Sequence, residues 1–303
     1  MTASKYMTLE EAISTFVLDG SSLALGLAQE TLIPFAAGWE IMRQSRRDLT
    51  LIGPISDILF DQMIGAGCVR WVRSAWVGNV ITGSGYNFRR AVESGTLEIE
   101  DYSNLSLAMA LQAGALGVPF LPTYTALGSD LFQTNPSLNK IVCPFTGQVL
   151  TAVAALNPDV AIVHVQRSDE QGNAHAWGNL GMTREACLAA EQVILTCEEI
   201  VPAEVISSDP NRVVVPGFRV VAVVQAPWGA YPSPVPGYYN RDHQAFLEYQ
   251  EASLTPESFA SWLESRVVAP KDYDSYLELI GKTRLAELVP KVSAPSAVVD
   301  FGY

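Results

Sequence analysis

The run Val160 to Val165, VAIVHV, constrains this chain more than any other stretch. It is short, apolar and β-branched, is entered from Pro158 and Asp159, and reads as a buried parallel strand. It discharges directly into Gln166, Arg167, Ser168, Asp169, Glu170, Gln171, Gly172 and Asn173. That places a polar cluster at a strand's carboxyl end, where open α/β sheets bind ligands because the loops vary while the strand beneath stays rigid. An amide, a guanidinium, a carboxylate and a glycine-asparagine turn together suit a carboxylate or amide-rich ligand; the plain alternative is a solvated βα turn. Thr183 to Glu191 reads as the following helix and Gln192 to Cys197 as the next strand.

The same alternation runs through the preceding chain. Thr8 begins a short helix to Phe16, with Glu11 at the capping-box spacing. Ser22 to Ala28 reads as the first strand, Gln29 to Thr31 as its loop, and Pro34 to Arg43 as a helix opened by proline. Strands follow at Leu49 to Gly53, Val69 to Val77 and Leu97 to Tyr102, with helices at Asp57 to Gly65, Asn87 to Glu93 and Leu105 to Leu116, the last capped by Ser103 or Asn104. Asn135 to Asn139 reads as an unstructured spacer, and Val149 to Leu156 leads back to the opening strand. The fold class is therefore α/β, a mostly parallel open sheet flanked by helices.

Beyond Asn211 the character changes. Gln225 to Tyr239 carries prolines, glycines and aromatics and reads as a rigid extended loop. Its rings either plug the core or line a subunit interface or acyl pocket. Segments Pro256 to Arg266 and Tyr273 to Leu288 are amphipathic and are expected to cover the sheet edge. The organisation expected is one domain over 1–290 and an extended tail over 291–303, with Phe301 and Tyr303 as candidate anchors.

Composition excludes several classes. With 19 basic against 32 acidic side chains and a net charge of -13, the chain lacks the positive surface that nucleic acid requires. Cys68, Cys143, Cys187 and Cys197 show no metal or disulfide spacing and read as buried thiols. His164, inside the apolar strand, reads as a core residue rather than a base. No apolar run is long enough to span a bilayer and no secretory leader opens the sequence, so a cytoplasmic protein with no membrane association and no structural metal is expected. Neither G-x-G-x-x-G after the first strand nor G-x-x-x-x-G-K-[ST] occurs, so a nucleotide reading lacks its phosphate site. Gly83-Ser84-Gly85 falls short of the full nucleophile-elbow spacing.

Several runs occur in a recognisable order: Asn87-Phe-Arg-Arg-Ala91, Pro119-Phe-Leu-Pro122 with Gly128-Ser-Asp130, Pro158 to Gly178, Asp209 to Gly217, Pro227 to Ser233 and Gly237 to His243. In these, from Asp19 to about Leu288, the chain resembles the alpha, or A-type, subunits of class I coenzyme A transferases, such as that of glutaconate CoA-transferase. The resemblance implies a two-subunit enzyme, a heterodimer or higher heteromer, that moves CoA from an acyl-CoA thioester to a free carboxylic acid. It implies that the nucleophilic glutamate, which passes through a glutamyl-CoA intermediate, belongs to the beta-type partner, and this chain shows no match to that glutamate. No tightly bound cofactor is expected, the CoA thioester being a substrate.

Such chemistry needs hydrogen-bond donors for the thioester oxyanion and for the incoming carboxylate. Ser84, Asn104, Ser129, Gln148 and Gln166, in loops at strand ends or helix starts, are the substrate-binding candidates. Glu30 is a further one. In place of the glycine-rich segment with an arginine before its proline, the chain reads Gly26 to Pro34 with Glu30 and no neighbouring arginine. A bare carboxylate there is expected to repel a dicarboxylate acyl chain, unless Glu30 instead caps the following helix. The alternative activity is that of related CoA-thioester hydrolases that cleave rings of cyclic compounds, with Glu30, Glu98 and Glu100 as available bases.

Overall fold

The computed structural model describes residues 4–292 and 299–301. In chain order α1 (Leu9–Phe16), β1 (Ser22–Ala24), α2 (Phe35–Arg43), β2 (Leu49–Ile55), α3 (Asp57–Gly65) and β3 (Val69–Trp76) open the fold. The small hairpin β4 (Gly78–Asn79) and β5 (Gly83–Ser84) leads to α4 (Tyr86–Glu93), β6 (Glu98–Asp101) and α5 (Asn104–Leu116). Then come β7 (Phe120–Thr123), α6 (Leu131–Thr134), β8 (Leu138–Val142), β9 (Val149–Ala154), β10 (Val160–Ser168), β11 (Ala174–His175), α7 (Thr183–Ala189) and β12 (Gln192–Ile200). The remainder is α8 (Ala203–Ser207), β13 (Val213–Val215), β14 (Val220–Gln225), α9 (His243–Ala252), α10 (Pro256–Leu263), α11 (Tyr273–Ile280) and α12 (Lys282–Leu288).

The parallel strands run β14-β12-β10-β1-β2-β3-β6. Side chains alternate across the sheet as the pleat requires. Leu23, Val160 and Ile162 enter one core with α1, α2, α3 and the late helices, whereas Ala24, Ala161 and Val163 enter the other with α5 and α7. The expected α/β class and mostly parallel sheet are what the chain forms. Thr8 closes its capping box with Glu11, and Ser103 rather than Asn104 caps α5, in a box with Ser106.

Three expectations need correction. Residues Asn135 to Asn139 are not a spacer: β8 begins at Leu138 and, with β7 and β9, makes a separate antiparallel three-stranded sheet. The late helices do not cover the sheet edge but pack on α2, where Trp39 lies 5.7 Å from Trp262 and 4.3 Å from Tyr276, and Gly281 splits the second of them into α11 and α12. Cys143 is only half-buried, although the other three thiols are buried. Of the two readings of the aromatic loop, the structure shows the plug, with Trp228 and Tyr238 left partly exposed. Tyr231 and Tyr239 are buried, Trp228 stacks on Tyr239 at 4.2 Å, and the Tyr231 hydroxyl donates to Asp242 at 2.6 Å.

Two of the recognisable runs prove to hold the scaffold. The Asn87 amide donates to Asp61 and Tyr249, while Arg90 donates to the carbonyls of Ser253 and Leu254, tying α4 to the late helices. After β10, Asp169 accepts from the Gln171 and Asn173 amides at 3.0 and 2.9 Å, and the Asn173 side chain accepts from the Gly217 amide. Those side chains are committed to the turn itself and to the Gly217 backbone. In the tail, the Arg241 amide donates to the Asp300 carbonyl and the Phe301 ring packs on Arg241; Tyr303 lies outside the described residues. Among the described residues no helix is long and apolar enough to cross a membrane, and no cluster of metal-ligating side chains occurs.

Candidate functional site at the sheet's switch point

From β1 the chain proceeds outward one way through β2, β3 and β6, and from β10 the other way through β12 and β14. The loops after β1 and β10 therefore diverge at the carboxyl ends of the strands, the switch point at which open α/β sheets form their ligand crevice. They are hydrogen-bonded to one another there. The Asn179 side chain donates to Gln29 at 3.0 Å, Thr31 donates to the Asn179 carbonyl at 3.1 Å, and the Met182 amide donates to the Leu27 carbonyl.

The backbone around this crevice is unusually constrained. Gln29, Leu32 and Asp57 all hold left-handed φ, at 64, 55 and 53 degrees, a conformation that costs non-glycine residues of order 1 kcal/mol or more each. Gly26, at φ 68 degrees, is required outright, because a Cβ there would sit 2.5 Å from the Ser56 hydroxyl.

Charge in the crevice is paired from a distance in sequence. The Arg241 guanidinium lies 2.6 Å from the Glu30 carboxylate and 3.9 Å from that of Asp57. The Arg241 and Asp57 side chains are fully buried, whereas Glu30 keeps 31% of its side chain exposed. Asp57 accepts from the Val80 amide at 3.4 Å and from Ser233 at 3.5 Å. Burial pushes its carboxyl up to about 7, and Arg241 offsets only part of that. Glu30 is thus neither a bare charge nor a helix cap, since α2 begins at Phe35 with Pro34 as its N-cap and no side-chain cap.

Behind the crevice a buried network fixes the aromatic loop. His164, expected as a core residue, bonds through Nδ1 to Thr196 at 2.9 Å and through Nε2 to Glu198 at 2.8 Å. Glu198 also accepts from the Tyr239 hydroxyl at 2.7 Å and the Trp228 amide at 2.9 Å. That loop in turn carries Ser233, and its Pro234 carbonyl accepts from the Leu32 amide.

Of the sequence candidates, Glu30 and Gln166 meet at this crevice. Gln166 lies within β10 rather than in the loop expected for it; it is buried, donates to the Trp177 and Pro236 carbonyls and accepts from the Trp177 amide, so it ties the loop after β10 to the aromatic loop. Asn104 is exposed at the start of α5, beyond the end of β6. Ser129 and Gln148 belong to the small antiparallel sheet and its loops, where Ser129 donates to the Ala126 carbonyl and Tyr124 donates to Gln148. Ser84 contributes backbone to β5, opposite Gly78; its side chain lies outside the described atoms. The structure therefore separates the candidates into a crevice pair and a group on other elements. Asp57, Ser233 and Arg241 were not among the candidates, although the Asn240-Arg241-Asp242-His243 run after a proline-rich loop was a usable signal.

The possible bases are also placed. Glu100 is buried and held by Arg73 at 2.9 Å, the Tyr102 hydroxyl at 2.7 Å and the Ser137 hydroxyl at 2.6 Å. Glu98 pairs loosely with Arg70 at 3.5 Å and lies at the amino end of β6, away from the carboxyl ends that form the crevice.

Residues 6–226 match the family profile described as Coenzyme A transferase. The chain is 40% identical to the A-type chain of 3-oxoadipate CoA-transferase from Pseudomonas knackmussii, over 89% of this chain and 96% of that one. It is 36% identical to the A-type chain of glutaconate CoA-transferase from Acidaminococcus fermentans, over 94% of each. The crystal structure of glutaconate coenzyme A-transferase from the same organism superimposes with a TM-score of 0.90, covering 96% of this chain and 98% of the matched one. The chain belongs to the coenzyme A transferase family, alongside the A-type chains of its two-subunit members.

Proposed function

We propose that this chain, paired with a beta-type subunit, moves CoA between an acyl-CoA thioester and a free carboxylic acid, and that its switch-point crevice receives the acyl group. In this reading a glutamate of the partner attacks the thioester carbonyl and expels CoA thiolate, leaving a mixed anhydride. The thiolate then attacks the glutamyl carbonyl and releases the acyl carboxylate. The reverse steps on the incoming acid return the glutamate.

The observation that carries the division of labour is the state of the three carboxylates that the sequence offers as bases. Glu30 is paired with Arg241, Glu100 is bonded to three donors, and Glu98 lies at the opposite end of its strand. A nucleophile or general base must be desolvated yet available, and none of these three is. The same fact weighs against the hydrolase reading in the form that takes Glu30, Glu98 or Glu100 as the base that activates water.

Pairing also revises substrate choice. With Arg241 opposite Glu30, a distal carboxylate on the acyl chain meets a neutralised pair rather than an isolated negative charge, which removes most of the like-charge cost. The names of the 3-oxoadipate and glutaconate relatives accord with a dicarboxylic acyl chain as the class of substrate. Co-expression with a beta-type chain of the same genome and assay with succinyl-CoA and acetyl-CoA donors tests the reading. CoA transfer strictly dependent on an acceptor acid is expected. Turnover by this chain alone, or equal thioester loss without acceptor, would overturn it.

A further inference from the structure

We infer that Phe301, in the segment 299–301, is a positioning residue for the acyl end of the crevice, acting through Arg241 on Glu30. The inference rests on the transferase reading of that crevice. Three contacts place the segment: the Arg241 amide donates to the Asp300 carbonyl at 3.1 Å, the Asp300 amide donates to the Asn240 side chain at 2.9 Å, and Arg241 Nη1 donates to the Phe301 carbonyl at 3.5 Å. The Arg241 guanidinium carbon then lies 5.1 Å from the Phe301 ring and 5.2 Å from the Phe246 ring. Two aromatic rings thus contact one guanidinium, and its side chain has no exposed surface.

The consequence follows from competition. Among the described residues the carboxylates of Glu30, at 2.6 Å, and Asp57, at 3.9 Å, lie within reach of Arg241, and of these two the Glu30 side chain is the one partly open to solvent. The rings fix the plane of the guanidinium and exclude water from it, which strengthens the Glu30 pair relative to the same contact in water. Without the Phe301 ring, water reaches the guanidinium, the pair weakens, and Glu30 presents more of its charge to the acyl chain. Phe301 touches no reacting atom; its effect on specificity passes through two other residues.

The test is a cycle of Phe301→Ala and Glu30→Gln in the two-subunit complex, read as the ratio of kcat/KM for a dicarboxylyl-CoA to that for a monoacyl-CoA of matched length. Phe301→Ala is expected to lower the ratio by about tenfold, the scale of one desolvated cation–π contact. Phe301→Tyr, which keeps a ring, should stay within about twofold of the parent. In the Glu30→Gln background Phe301→Ala should leave the ratio unmoved, because the charge it unmasks is gone. An unchanged ratio in the single variant, or an equal shift with and without Glu30, overturns the inference. The same cycle read as Tm on the full chain alone needs no catalysis: the losses should be non-additive, and simple additivity overturns the clamp. A parent complex without acceptor-dependent transfer refutes the transferase reading and leaves the Tm cycle to decide on Phe301.

Discussion

Replacing Asp57 with asparagine should raise the stability of the protein at pH 8 and leave it nearly unchanged near pH 4. The substitution keeps the shape and the acceptor for the Val80 amide, and asparagine tolerates the left-handed φ of 53 degrees at this position. It removes only the ionisation. The folded carboxyl titrates at about 7, against an ordinary 3.8. A raised folded value means that the unfolded chain loses this proton first, so the contribution is fully present below about pH 4 and is lost as pH rises through 7. Roughly three pH units at about 1.4 kcal/mol each set a ceiling of about 4 kcal/mol, and relaxation around the ion brings the working figure to about 2–4 kcal/mol. For a chain of 303 residues, unfolding entropy of about 2 cal/mol/K per residue converts this to a gain of roughly 3–6 °C in Tm at pH 8. Thermal unfolding of parent and Asp57→Asn between pH 4.5 and 8.5 measures it. A gap in Tm that does not widen with pH, or a variant less stable than the parent at pH 8, would refute the reasoning.

Arg241→Met leaves Glu30 and the buried Asp57 without their cation and should cost about 3–5 kcal/mol, seen as a fall in Tm that is larger at pH 8 than at pH 5. Trp228→Ala should destabilise the chain itself by about 1–3 kcal/mol in denaturant unfolding, because the half-buried ring stacks on buried Tyr239; intact stability with a weakened subunit complex would favour the docking role the sequence allowed for this loop.

The parts of this fold legible in the sequence are those whose signal is local. The β-branched run at Val160 to Val165 and the Thr8 capping box each declare themselves within a few residues, and both elements form, although the strand runs on through Gln166 and Arg167 to Ser168 instead of ending at Val165. The antiparallel sheet escaped because its strands are short and β7, β8 and β9 pair with one another rather than continuing the alternation of strand and helix. Glu30 was legible as a crevice residue through its place after β1, but its partner was not. Arg241 lies 211 positions away, and no local pattern announces a pairing that only the proline-stiffened aromatic loop brings about. Asp57 read as a helix start; its burial and its backbone conformation are products of packing.

The central pairing of β1 with β10 joins Leu23 to Val160 and Ala24 to Ala161, and Asp159 accepts from the Ser22 amide and hydroxyl at 2.7 and 2.8 Å, across 137 residues. During synthesis at about 5–20 residues per second, roughly 7–30 s separate the emergence of these two edges from the ribosome. Throughout that interval β1, β2, β3 and β6 can assemble from nearby segments while the β10 side of β1 stays open. The candidate crevice, which needs both halves, is therefore completed last, after the loop-closure cost of this long separation has been met. Chaperone capture or misassembly of the nascent chain should concentrate on that open edge of β1, and a chain truncated before Pro158 should present it permanently.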